Sequence, residues 1–286
     1  MTGTLPSRTG MLAWRLARHG LIDPPADDAV AVVRRLLAVR AWPDALATTA
    51  VGLRSTAPTD AHAAVRAREL VVSYAFGGGS YVLAPDVAAA ILSTRAATEI
   101  WRTARWQRQG GFEIDDWQPL REAVRARLRH GAATRAEIGA HLAGIPALAH
   151  LATAAASGAG ADALLKPLHW WGDICFGPSR NGLTTFRLLA DDPSWPGTLE
   201  ADDAGRTLVR LVLGSYGAAS VANLEHWIAE GLGVRRQHLL GWIDDLGDEV
   251  ARLDVDGVER LCLAADAAAI ADAAPSDAVQ ERKSVV

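Results

Sequence analysis

The sequence predicts a mainly α-helical chain with short β-hairpins, arranged as tandem winged-helix (helix-turn-helix) units. Three observations predict it. The segment Gly131 to Ala143, GAATRAEIGAHLA, returns at Gly217 to Ala229 as GAASVANLEHWIA. The copies match Gly131 with Gly217, Ala133 with Ala219, Thr134 with Ser220, Ile138 with Leu224 and Leu142 with Ile228. Each copy is a turn, then a hydroxyl suited to capping a helix, then apolar residues at helical spacing. Thr134 with Glu137 makes a capping box, in which each side chain satisfies an orphan backbone N–H. A helix rich in arginine or leucine precedes each copy. A hairpin pattern follows each one, turning at Asn181-Gly182 and at Asp256-Gly257, residue pairs that tolerate positive φ. Helix, turn, short helix, hairpin is the order of a winged helix.

Taken from the start, residues 7–20 form a first helix, with Leu12, Trp14 and Leu16 packing and Arg15 and Arg18 in water. The break Asp23 to Pro25 ends it. Val30, Val33, Leu36 and Leu37 place a second helix over 27–39, which stops before Pro43. A third helix spans about 61–75. Gly77-Gly78-Gly79 then turns into the short strand SYVLA, and Pro85 opens a long helix towards Gln109. These elements make a first winged-helix-like unit, 7–112. The second, 113–192, holds the arginine-studded helix Leu120 to His130, the first repeat copy, an Ala/Gly-rich loop at 152–163 and a hairpin of Ile174–Phe176 with Thr184–Leu189. Residues 193–200 read as a linker, 201–270 as a third winged helix, and 274–286 as a polar, disordered tail.

The bulk composition bounds the function. The chain has 286 residues, 50% hydrophobic and 22% charged, with a net charge of −4 and a pI near 6.1. That is a globular composition, long enough for two or three small cores. The acidic balance excludes a surface coated with phosphate-binding charge, though not a local basic patch. Lys166 and Lys283 are the only lysines, so positive charge is almost wholly arginine, suited to bidentate contact with phosphate or carboxylate. The two cysteines, Cys175 and Cys262, sit in apolar strand-like runs and read as buried free thiols. No spacing makes a metal site, and GGGS lacks the lysine and helix cap of a nucleotide loop, so no cofactor is expected. No run approaches membrane-spanning length and the N-terminus has no apolar signal core, so the expectation is a cytoplasmic protein, monomeric, without a membrane partner. The alanine and arginine bias is similar to that of high-GC bacteria.

Four phrases carry a family resemblance: VVRRLLAVRAW, RELVVSYAFGGGSYVLAP, GDICFGPSRNGLTTFRLL and WIDDLGDEVARLDVDG. Over residues 10–270 the chain resembles the bacterial winged-helix family of AlkZ-like DNA glycosylases. The resemblance implies stacked winged helices forming a concave body. It also implies excision of alkylated bases or unhooking of interstrand crosslinks, in several members as self-resistance to DNA-damaging natural products. Where family glycosylases carry Gln-x-Gln to position the attacking water, this chain has Arg40-Ala41-Trp42. Arginine offers no lone pair to accept a proton from water, and Trp offers one N–H donor. Where many members read Arg-Gly-Thr-x-His, this chain has Gly78-Gly79-Ser80-Tyr81. The sequence also ends soon after the third unit, without the further β-rich segment of longer members. The family's catalytic residues therefore transfer to no position here.

The candidate site residues follow from chemistry and placement. Arg40 and Trp42 occupy the family's active-site position. Either Trp42 stacks on a planar ligand while Arg40 holds an anion, or Trp42 closes the first unit's core and Arg40 is a surface charge. Tyr81 lies near them. His169 is a candidate acid–base group because imidazole titrates near neutrality, and Asp173 follows four residues on. Trp170 and Trp171, if on a strand, point to opposite faces, one to core and one to a ligand or solvent. Arg121, Arg125 and Arg129 on one helix, Arg135 and Arg180 in the second unit, and Arg235 and Arg236 in the third are the candidate phosphate contacts. Two partner classes follow: double-stranded DNA, bound as damaged DNA, or a small molecule of secondary metabolism in a rebuilt Arg40/Trp42 pocket.

Overall fold

The computed structural model describes residues 6–275. The chain runs α1 (Arg8–Arg18), α2 (Ala29–Arg35), β1 (Val39–Arg40), α3 (Asp44–Gly52), α4 (Ala61–Arg66), β2 (Val71–Tyr74), β3 (Ser80–Leu83), α5 (Pro85–Ala96) and α6 (Ala104–Gly110). It continues through α7 (Trp117–Leu128), β4 (Ala133–Thr134), α8 (Arg135–Ala143), α9 (Ala152–Ala156), α10 (Gly158–Trp170), β5 (Ile174–Arg180) and β6 (Leu183–Leu188). It closes with α11 (Ala201–Tyr216), α12 (Val221–Leu224), a π-helical turn (Glu225–Glu230), α13 (Arg236–Asp245), β7 (Val250–Val255), β8 (Val258–Leu263) and α14 (Ala264–Ala271). The fold is mainly helical with three small antiparallel sheets, ordered β1-β3-β2, β4-β6-β5 and β7-β8. The polar tail expected from Ala274 lies, from residue 276 on, outside the described residues.

The repeated segments open with the same turn and cap because the same residues dictate them, though the first continues as an α-helix to Ala143 while the second passes into the π-helical turn after Leu224. Gly131 and Gly217 adopt φ of 111° and 69°, the region glycine enters without steric cost. At Gly217 a Cβ would meet the Trp14 ring at 2.5 Å, so the turn also needs the missing side chain. In the first copy Thr134 Oγ1 accepts from the Glu137 amide at 3.2 Å and Glu137 Oε2 accepts from the Thr134 amide at 2.8 Å. In the second copy Ser220 Oγ accepts from the Asn223 amide at 3.2 Å and Asn223 Oδ1 returns the bond to the Ser220 amide at 3.1 Å. The residue before each cap pairs with its own hairpin, Ala133 with Phe186 and Ala219 with Leu261. Both hairpin turns carry the left-handed pairs read from the sequence, Asn181-Gly182 at 53° and 75°, and Asp256-Gly257 at 53° and 78°.

Several elements depart from the sequence reading. The helix expected to reach residue 75 stops at Arg66, since Arg68 takes φ of 63° and the β-branched pair Val71-Val72 enters a sheet against β3. The long helix from Pro85 ends at Ala96, because Glu99 adopts φ of 49° and Thr103 caps a separate helix. The stretch 152–163 is helical rather than a loop, because alanine favours helix and only Ser157-Gly158, with Gly158 at φ 65°, interrupts it. Trp170 and Trp171 therefore end a helix instead of occupying a strand. Helix α3 has no counterpart in the expected elements.

Packing joins the ends of the chain. One core gathers Val33, Leu70 and Ile91 with Leu208, Leu213 and Leu239, so the first and third thirds bury a shared interior. Helix α5 is buried from Val87 through Thr94, and its run of alanines lets α11 approach it. A second core, Leu120, Ile138, Leu142, Leu164 and Phe186, belongs to α7, α8, α10 and their sheet. A small third core of Met11, Ala218, Cys262 and Ile270 fastens α1 and α14 to the last hairpin. Arg15, expected in water, is half-buried at this seam, its Nε donating to the Tyr216 carbonyl at 2.7 Å, while Arg18 is exposed as expected, its Nε donating to the Gly214 carbonyl at 3.0 Å. Cys175 and Cys262 are buried free thiols, and burial pushes Cys175 up to about 12.

Candidate nucleic-acid interface

A groove of about 700 Å³ opens between the first sheet and the second. Trp42, Tyr74, Arg135, Phe176 and Leu183 line it, with the Ser157-Gly158 break at one end. Trp42 is 73% exposed and Leu183 59%, so two apolar side chains stand in solvent on its walls. The alternative in which Trp42 closes the first unit's core is thereby corrected: the β1–α3 corner turns the indole outward. Beside Trp42, the Arg40 guanidinium lies 5.2 Å above the Tyr81 ring and donates from Nη1 to its hydroxyl at 3.2 Å. Gly79 leaves room for this, since a Cβ there would come within 2.3 Å of Arg40 Nη1. Arg40 and Tyr81 are thus paired across neighbouring strands of one sheet, whereas Trp42 lies beyond the end of β1 and is the one of the three that lines the groove.

The groove's polar floor is a network that sequence reasoning only partly found. Arg135 donates from Nη2 to the Tyr74 hydroxyl at 3.0 Å and to Asp162 Oδ1 at 2.7 Å. Lys166 stands 3.2 Å from Asp162 and 4.8 Å above the Tyr74 ring. Burial, with the Asp162 charge, raises the Tyr74 phenol, which stays a neutral hydroxyl at the floor. Tyr74, Asp162 and Phe176 carried no sequence signal beyond residue type. Tyr74 and Asp162 meet Arg135, and Phe176 packs on Tyr74, because β2 is laid against β5 and α10.

Two expected acid–base candidates are corrected by burial. His169 is wholly buried among Tyr74, Phe176 and Phe186, with Nδ1 on Ser73 Oγ at 3.0 Å. Burial pushes it down to about 3, so it is a neutral core imidazole that touches no substrate. Asp173 is also buried, accepting from Arg121 Nε at 2.7 Å and from Arg125 Nε at 2.9 Å. That clamp corrects three assignments together: Asp173 does not face a reacting group, and Arg121 and Arg125 are committed to it. A buried carboxylate must be paired, and these arginines are the nearest charges to pair it.

The remaining arginines divide by partner. Arg180 ion-pairs Glu137, and Arg236 ion-pairs Glu225. Arg129 and Arg235 are exposed and have no acidic partner among the described residues. Trp170 is fully buried under Arg95, whose guanidinium lies 4.7 Å from its ring. Trp171 is half-buried against Trp101 and Trp117, with Arg121 4.6 Å from its ring. Trp101, Trp117 and Trp171 form one packed cluster while Trp170 packs against Trp106 in the other core, and none of them lines the groove.

Comparison with known proteins then places the chain. A family model described as DNA glycosylase AlkZ-like matches residues 33–282. The chain belongs to the AlkZ-like DNA glycosylase family. An interstrand DNA cross-link repair glycosylase of Streptomyces sahachiroi is 30% identical over 274 residues, covering 94% of this chain and 73% of that protein. The solved structure of Streptomyces sahachiroi DNA glycosylase AlkZ superposes with a TM-score of 0.87 at 30% identity, over 95% of this chain and 74% of that one. This AlkZ-like chain thus shares the relative's fold across almost its whole length. Among the described residues no helix is long and apolar enough to cross a membrane, and no His, Cys, Asp and Glu cluster is placed to hold a metal.

Proposed function

We propose that this AlkZ-like chain binds damaged double-stranded DNA through the groove between its first two sheets. In this reading residues 7–112, 113–192 and 201–270 are three winged-helix units around a concave face, with 193–200 connecting the last two. The observation that carries the reading is the placement of Trp42. It is a largely exposed indole at the position of the family's water-positioning motif, lining the same groove as Phe176, Tyr74 and Arg135. An exposed indole offers a stacking face for a displaced base, a contact worth about 1–3 kcal/mol per base. Arg129 and Arg235 supply phosphate contacts outside the groove.

Binding and chemistry are separable. Arg40 carries no lone pair to take a proton from water, and its guanidinium is occupied by Tyr81, so base release is slow or absent. Gel shift with plain and alkylated duplex at low salt tests the binding, with tighter retention of the alkylated duplex expected; no binding of either overturns it. Robust base excision abolished by changing Arg40 or Trp42 overturns the expectation about chemistry.

A second reading has one specific support. The groove's volume lies within the roughly 300–1,000 Å³ range of small-molecule pockets, so the scaffold can hold a planar or acidic metabolite. A ligand that co-purifies with the protein and is lost on changing Trp42 or Arg135, together with no affinity for DNA, favours it.

A further inference from the structure

A second cavity, of about 250 Å³, lies on the seam where α1 meets α11, the π-helical turn and β8. Arg8, Arg15 and Arg260 line it, together with Asn223, Tyr216 and Trp227. Among the described residues none of these arginines has a carboxylate partner for its side chain. Asp256, the acidic group bonded at this corner, accepts instead from the Arg8 backbone amide at 2.9 Å. Arg15 uses Nε on the Tyr216 carbonyl at 2.7 Å, and its terminal nitrogens are uncommitted. Arg260 makes one long contact, 3.4 Å from Nη1 to Asn223 Oδ1, and its Nε is buried without any partner. Burial and the charge of Arg260 both lower Arg15 from its ordinary value. Two neighbouring, half-buried guanidinium groups with no carboxylate between them repel each other, and an anion that joins them removes that repulsion. Their planar forks match the oxygens of a phosphate.

The molecule carries an internal control. In the first repeat copy the third helical position is Glu137, and its carboxylate takes Arg180 from the hairpin. In the second copy that position is Asn223, so the hairpin's Arg260 meets an amide oxygen instead. The capping box is retained, an arginine reaches the same position from the other strand of the hairpin, and the negative charge is gone.

We propose that this pocket is a phosphate-ester binding site. Arg15 and Arg260 hold the phosphate oxygens, with Arg8 beside them, and Trp227, stacked on Tyr216 on one side and 41% exposed, offers its remaining surface to a ring carried by the ester. The phosphate belongs either to a DNA strand, in which case the site extends the function proposed above and rests on it, or to a free monoester. The test is calorimetric titration of the full chain with inorganic phosphate at low ionic strength, with chloride as the reference anion. Wild type shows saturable binding absent with chloride. R260Q weakens it by about tenfold, the loss of one charge-assisted hydrogen bond. N223E keeps the capping box, supplies the missing carboxylate to Arg260, and abolishes phosphate binding while raising the melting temperature of the ligand-free protein. If R260Q also weakens duplex binding and phosphate competes with duplex, the strand is the source. If a nucleoside monophosphate binds tighter than inorganic phosphate and duplex binding ignores R260Q, the source is a free ester. Wild type that binds phosphate no better than chloride, or N223E that binds it as well as wild type, overturns the site. The phosphate titration needs no DNA, so failure of the gel shift and failure of this site are read separately.

Discussion

The α7–β6 region and the α1–α11 seam use the same residue, arginine, to opposite ends. Between α7 and β6, Arg121 and Arg125 close on Asp173, Arg135 on Asp162 and Arg180 on Glu137. At the seam Arg15 and Arg260 line one cavity with only carbonyl and amide oxygens to meet them. A cluster of arginines along a helix is therefore poor evidence of a phosphate track. What matters is whether the fold supplies a carboxylate, and it supplies one where the sequence looked most basic.

The largest test of this contrast is in the cores beneath it. Leu142→Ala and Ile228→Ala remove equivalent, fully buried side chains from the two repeat copies, and each costs about 2–5 kcal/mol in urea denaturation. L142A loosens amide exchange around the α7–α8–α10 core alone, while I228A loosens the larger core that joins the two ends of the chain. Equal loosening everywhere would show that the two regions are one cooperative body.

Next in size is Asp173→Asn, which strands two partly buried guanidinium groups and costs about 2–3 kcal/mol, below the range for fully buried pairs because both arginines reach solvent. Arg260→Gln at the seam is neutral or stabilising by comparison. A D173N protein as stable as wild type breaks the distinction.

The acid limb sharpens it further. Hydrogen bonds from Thr134 and Arg180 hold Glu137 down to about 2 from an ordinary 4.5, so its contribution is complete above pH 4.5 and lost as pH falls towards 2. The stability gap between wild type and E137Q closes over that window, whereas Asn223→Gln gives a gap that does not change with pH. His19 and His169 act at higher pH. Burial lowers them to about 4 and about 3, so the unfolded chain takes up protons first and stability falls as pH drops below 6.5. Urea midpoints between pH 7 and pH 4 check this, and H169Q flattens the slope if burial is its cause.

The smallest effect on stability belongs to the groove. Trp42→Ala changes it by less than about 0.5 kcal/mol, as expected of an exposed side chain, while weakening retention of alkylated duplex. A large loss of stability would mean that Trp42 packs rather than binds.

Much of this molecule was legible from neighbouring residues. Gly131 and Gly217, the Thr134 and Ser220 caps, and the Asn181-Gly182 and Asp256-Gly257 turns are set by contacts within a few positions, and all appear as read. The family was legible from phrases of the same local kind. The site was less so. Tyr74 was hidden because a helical pattern seemed to run past Arg66. His169 and Asp173 looked reactive because residue type says nothing about depth.

By itself, the sequence determined the turns, the caps and the hairpins, since each is decided by backbone φ and hydrogen bonds closed inside a short segment. Only the tertiary structure decided which arginine meets a carboxylate, which indole is exposed and which imidazole is sealed. Arg121 and Asp173 lie 52 positions apart, and Arg15 and Tyr216 lie 201 apart. Charge and burial depend on what is brought close in space, and that is settled when the cores pack.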